Sequence, residues 1–152
     1  MNLDSFILLV IVLFKGVTPS TPIVQESFSL VFSNIEFEAG RVTLTEKSRA
    51  ILDDIARELR CYPGIKVRVE GHTDGREVVG FNANLVLSQE RALKVLVYLT
   101  TQGGMPSSLL DYRGYGAELP ISGGYTTSAR EKNRHVEFHV TDISTFHNVC
   151  DE

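Results

Sequence analysis

The sequence predicts an α/β (α+β) domain of order β-α-β-α-β-β, with two helices packed on one face of a mixed sheet. Three observations lead there. Short runs rich in β-branched and aromatic residues recur along the chain, as strands require. Two longer segments carry apolar residues every three or four positions, the spacing of one helix face. Breaks containing glycine or proline separate the two kinds of segment.

Phe28 to Phe37 reads as the first strand. Thr45 is placed to N-cap a helix reaching Arg60, with Ile51, Ile55 and Leu59 on one face, and Pro63-Gly64 ends that unit. In the next strand Ile65, Val67 and Val69 alternate with Lys66, Arg68 and Glu70, so one side is buried and the other polar. Ser88 is the expected N-cap of a second helix to Thr101, whose Ala92, Val95, Leu96 and Leu99 face inward. Gly103-Gly104 closes it. Asp111 to Tyr115 is a short strand, and Arg134 to Thr141 a last one with Val136, Phe138 and Val140 on one face.

Residues 27–142 thus form the domain, residues 1–26 an apolar N-terminal segment with a Thr/Pro linker, and residues 143–152 a tail. Phe6 to Phe14 is continuously apolar. It is shorter than the roughly 20 residues that span a bilayer and resembles the apolar stretch of a secretory signal or anchor. Export or membrane tethering through this segment is therefore expected. With 152 residues, 43% hydrophobic and 22% charged, the chain can bury a core of its own. A net charge of -4 excludes nucleic acid as the main partner. Cys61 and Cys150 have no metal spacing; they form one disulfide in an oxidising compartment or stay as two thiols, and the sequence does not choose.

The chemistry concentrates in Gly71-His72-Thr73-Asp74 and the polar loop after it. Asp74 ends a strand, and Arg91 falls in the first turn of the helix expected from Ser88. Strand ends and helix starts share the rim where α/β units bind ligands. A helix N-terminus favours negative charge, so Arg91 there suits an incoming anion, while Asp74 suits an ammonium. The pair fits a zwitterion. An Asp74–Arg91 salt bridge tying loop to helix fits those two residues equally well.

Four ordered motifs carry a resemblance over residues 28–141: Val69-Glu70-Gly71-His72-Thr73-Asp74, Asn84-x-x-Leu87-Ser88-x-x-Arg91-Ala92, Gly114-Tyr115-Gly116-x-x-x-Pro120 and Asn133-Arg134-x-Val136-Glu137. With Ile35-Glu-Phe37-Glu-x-Gly40 upstream, the chain resembles the OmpA C-terminal-like domain of bacterial envelope proteins. The resemblance implies non-covalent binding of diaminopimelate in the peptide stem of peptidoglycan, with no cofactor and no catalysis. It implies that Asp74 takes the ammonium and Arg91 the α-carboxylate. Asn84 would shape the loop and donate to the ligand, and Arg134 would line the pocket. It implies a periplasmic, membrane-associated envelope protein, and leaves self-association as a homodimer open. The Asp74–Asn84 loop is longer than the family's commonest form, and His135 stands where a second arginine is usual. An interaction domain of a motor or secretion assembly that has lost the ligand is the other function this resemblance allows.

Other constellations carry less. His135, Glu137 and His139 share one strand face and offer metal-ligand types, but such a face is more often the solvated side of an edge strand, and no metal is expected. No Gly-x-Ser-x-Gly elbow, phosphate loop or basic stacking surface is present.

Overall fold

The strand run expected from Phe28 opens at that residue. In a computed structural model describing residues 28–32 (backbone), 35, 37–142 and 149–150, β1 covers Phe28–Phe32 and an isolated bridge joins Phe37 to Leu44. The apolar segment and linker expected over 1–26 lie outside the described residues, as do 33, 34 and 36 of the first strand and 143–148 and 151–152 of the tail. Among the described residues no helix is long and apolar enough to cross a membrane.

Helix α1 (Glu46–Arg60) begins where the capping signal puts it, the Thr45 hydroxyl accepting from the Ser48 amide at 3.0 Å. Strand β2 (Lys66–Gly71) follows, then helix α2 (Phe81–Thr101), a 3₁₀ turn at Ser107–Leu109 and strand β3 (Leu110–Gly114). Helix α3 (Thr127–Asn133) and strand β4 (Val136–Asp142) complete the order. The sheet runs β1-β4-β2-β3, parallel between β2 and β3 and antiparallel elsewhere.

The expected β-α-β-α-β-β order with two helices is therefore overturned: three helices alternate with the strands. Helix α3 escapes sequence reading because its two turns bury only Ala129 and Asn133, too little for a periodic apolar face. Its cap was legible in principle, since the Thr126 hydroxyl accepts from the Ala129 amide. Helix α2 also begins seven residues before Ser88, at a Gly80 N-cap with φ 102° and no side-chain cap. Asn82, Asn84 and Ser88 are weak helix formers, and that local preference is overridden by tertiary packing.

That packing is close. Helices α1 and α2 bring Leu52, Ile55, Ala56, Leu59, Ala92, Val95 and Leu99 into one core with Val67, Val69, Val136 and Phe138. A Cβ on Gly71 would lie 2.1 Å from the Ser88 carbonyl oxygen, and one on Gly114 2.4 Å from the Gln89 backbone nitrogen. Only glycine lets α2 settle onto the ends of β2 and β3. The Ser88 hydroxyl, fully buried, donates to the Leu85 carbonyl and accepts from the Gly116 amide, both at 2.8 Å. A disulfide joins Cys61, at the end of α1, to Cys150, and the Val149 amide donates to the Cys61 carbonyl at 2.9 Å.

Two substitutions test this frame. Gly71→Ala is expected to destabilise the chain by about 1–3 kcal/mol or more, because backbone and not a flexible side chain stands in the way. Replacing Cys61 and Cys150 together by serine is expected to cost about 2–4 kcal/mol, the usual value for freeing a long loop in the unfolded chain. Denaturant titration of the full chain measures both.

Candidate functional site

The loop from Asp74 to Gly80 leaves the end of β2 and enters α2. Asn84, one turn into α2 and buried, organises it: its Nδ2 donates to the carbonyls of Val78 and Gly80 at 3.1 Å and of Gly75 at 3.4 Å. The three carbonyls fix which end of the amide is nitrogen. Its Oδ1 is then left buried with no hydrogen-bond partner among the described residues.

Asp74 and Arg91 do not pair with each other; each has another partner. Asp74 Oδ2 accepts from Arg134 Nη1 at 2.6 Å, and its Oδ1 accepts from the Arg76 amide at 2.8 Å. The Asp74 side chain is almost covered, whereas Arg134 keeps 20% of its side chain exposed. Arg134 reaches Asp74 from the C-cap of α3, so the helix that sequence reading missed delivers one of the site's cations.

Arg91 is not in the first turn of its helix. It lies mid-helix and buried, so the free amides and dipole of a helix N-terminus do not act at its guanidinium. Its Nη1 and Nη2 grip Glu77 Oε2 and Oε1 at 2.7 and 2.5 Å, a two-pronged pair in which both side chains are only 1% exposed. Nε donates to the Arg41 carbonyl at 2.9 Å and Nη2 also to the Glu38 carbonyl at 3.1 Å. The Phe37 ring lies under the guanidinium, 4.9 Å from centroid to Cζ. Glu77 Oε1 further accepts from the Gly40 amide at 3.3 Å.

The structure thus gathers all four expected residues around one loop, but as two crossed pairs, Asp74–Arg134 and Glu77–Arg91. Glu77, Phe37 and the 38–41 backbone were not foreseen. The only sequence signal for Glu77 was an acidic residue within an unusually long loop, and nothing local links positions 38–41 to Arg91.

Beside this loop lies a layer of histidines and acids. His72, buried, stacks on His135 at 4.3 Å between centroids, with ring planes 1° apart, and on Tyr115 at 5.5 Å. His135 Nδ1 faces the Asn133 carbonyl at 3.1 Å and its Nε2 faces Glu137 Oε1 at 2.9 Å. Glu137 Oε2 meets His139 Nε2 at 2.7 Å, and Glu70 Oε2 lies 3.2 Å from the same nitrogen. Strand β4 runs between β1 and β2, so this is not the solvated face of an edge strand.

Two ligand sets there have the types to hold a metal: His72, His135 and Glu137, and Glu70, Glu137 and His139. The first is poorly disposed for it. The lone pairs of His72 and His135 lie in the planes of two parallel, stacked rings, so they do not meet at one ion without a tilt of a ring. Glu137, common to both sets, already bridges two histidines. His135, Glu137, His139 and Glu70 form a hydrogen-bonded polar layer, whereas both ring nitrogens of buried His72 have no hydrogen-bond partner among the described residues and its ring is held by stacking.

The OmpA family model matches residues 36–134. The outer-membrane lipoprotein YfiB of Pseudomonas aeruginosa is 36% identical over 68% of this chain and 60% of its own. The peptidoglycan-associated lipoprotein of the same organism is 35% identical over 66% of this chain and 58% of its own. The chain therefore spans less than two thirds of either relative. The crystallised C-terminal domain of Helicobacter pylori MotB superposes with a TM-score of 0.65 at 26% identity, covering 72% of this chain and 85% of that one.

The histidine layer generates a pH dependence. His72 is lowered from its ordinary 6.5 to about 4, first by burial and then by the charge of His135, with Glu137 opposing the shift and His139 adding to it. As pH falls from about 6.5 towards about 4 the unfolded chain takes up a proton that the fold refuses. The stability from neutral His72 is complete above that interval and is lost through it. For Glu137, burial alone would raise the carboxyl, but hydrogen bonds from His135 and His139 and the charges of His72 and His135 outweigh it and hold it below 4.5. Its contribution persists to lower pH. The thermal midpoint should fall on acidification from pH 6.5, and His72→Phe should flatten the upper part of that decline. Thermal scans of the two chains across the interval check it.

Proposed function

Because the chain belongs to the OmpA family, whose peptidoglycan-associating envelope domains are non-catalytic, we propose that it tethers an envelope protein to the cell wall by binding the diaminopimelate-type zwitterion of the peptide stem. Its location is the periplasmic side of the cell envelope, in association with a membrane. The apolar run at 6–14 is the proposed route of export or attachment, and pairing of two copies would set two such domains on one wall.

One observation carries the ligand reading: the one loop between β2 and α2 supplies both acids of two ion pairs, Asp74 with Arg134 and Glu77 with Arg91. A ligand bearing an ammonium and a carboxylate on one carbon matches such an array charge for charge. Asp74 takes the ammonium, Arg91 the α-carboxylate, and Arg134 flanks both from the exposed edge. Asn84 holds the loop, and its unpaired Oδ1 is an acceptor for a ligand N–H. A disulfide is the form these cysteines take outside the cytosol.

The other reading, an interaction domain of a motor or secretion assembly without ligand, is favoured by one observation: all three nitrogens of the Arg91 guanidinium are already engaged by its own chain.

Co-sedimentation of the full chain with purified sacculi separates the two. Retention should be competed by free meso-diaminopimelate and should fail on sacculi that carry lysine in its place. Asp74→Ala should weaken retention about ten- to a hundredfold, the loss of one or two charge-assisted hydrogen bonds. Arg134→Ala should weaken it less. Retention of Asp74→Ala at the wild-type level, or no retention of the unaltered chain, removes the ligand reading.

A further inference from the structure

We infer that Glu77 is an internal carboxylate that occupies the Arg91 site, so that the site admits only a ligand able to exchange a free carboxylate of its own for it. This rests on the reading of Arg91 as the ligand's carboxylate site and adds the condition under which that site opens. The grip on Glu77 is what a bound carboxylate would receive: two guanidinium nitrogens at 2.5 and 2.7 Å and the Gly40 amide at 3.3 Å. Glu77 therefore shows which donors the pocket offers and how many.

Burial dictates exchange over simple opening. With both side chains 1% exposed, withdrawing Glu77 alone would leave a guanidinium uncompensated out of water. A second carboxylate arriving as the first departs keeps the charge balanced throughout, and the released Glu77 gains hydration. The remaining contacts of Arg91, to the Arg41 and Glu38 carbonyls and the Phe37 ring, do not involve Glu77, so the guanidinium stays placed. Glu77 itself sits on a loop outside helix and sheet, whose neighbouring Arg76 is exposed and whose Val79 is 99% exposed. Apart from Glu77 itself, that segment is held by the Asn84 amide, the Arg76 amide on Asp74 Oδ1 and the Arg76 guanidinium over the Tyr125 ring, and none of these contacts needs Glu77.

The exchange also selects. An amidated carboxyl keeps one accepting oxygen but sets its NH2 against the other guanidinium nitrogen, donor against donor, and so cannot take over both contacts of Glu77. The ligand class is thus a stem with its α-carboxylate free.

Calorimetric titration of the full chain with meso-diaminopimelate, together with melting in sodium acetate against sodium chloride of equal ionic strength, tests the inference. In Glu77→Ala the affinity should rise about tenfold or more, because the competing closed state is gone. Acetate should raise the melting temperature of Glu77→Ala and leave the unaltered chain unmoved. Equal affinity in both chains with no acetate effect overturns the inference while leaving the ligand reading intact. Acetate rescue with no diaminopimelate binding in either chain upholds the internal carboxylate and removes the diaminopimelate reading. Should Glu77→Ala fail to fold, Glu77→Gln decides through the same titration: tighter binding supports the inference and unchanged binding overturns it.

Discussion

Helix α2 can sit where it does because two strands end in glycine beneath it. At Gly71 and Gly114 the helix backbone comes so near the sheet that no Cβ fits, and Ser88 fills the remaining polar gap by bonding to Gly116 and Leu85. This seating fixes the height and rotation of the helix on the sheet. Arg91 lies three residues beyond Ser88, under one turn along the same helix, and Asn84 lies four residues before it. Both therefore inherit their positions from that contact. The loop between β2 and α2 must in turn close a gap whose two ends are already set.

The charges around that loop follow from burial. Arg91 has nowhere to reach water, so its donors are taken by an acid and two carbonyls of its own chain. Buried ion pairs are weak evidence for stability, since desolvation offsets much of the attraction and well-packed apolar groups often do as well. A pair kept in such a place invites a functional reason. Asp74–Arg134 differs in that Arg134 stays partly exposed, so water screens it and an incoming ligand can reach it.

The histidine layer and the disulfide tie the sheet and the end of the chain together at other places. The interior position of β4 puts Glu137 and His139 against Glu70 of β2, and Glu137 links His135 to His139 in one network. Elsewhere Cys150 is fastened to the last turn of α1, which gives the chain beyond β4 a fixed point near the core.

What the sequence determined by itself was mostly local. Alternation in β2, the Thr45 cap of α1 and the apolar faces of α1 and α2 were legible because each is set by residues a few positions apart. Asp74 and Arg91 stand out by their local chemistry, whereas Asn84 and Arg134 are marked only by the family resemblance, carried by motifs whose order along the chain survives without knowledge of the fold. The true start of α2 was hidden because Ser88 has the side chain of a cap but spends it on Gly116, 28 residues away. Helix α3 was hidden because seven residues with two buried positions leave no period to detect. Which acid meets which base could be decided only in three dimensions. Glu77 lies 14 residues from Arg91 and Asp74 lies 60 from Arg134, and these separations become contacts only after α2 has settled on its glycines and α3 has turned the chain into β4.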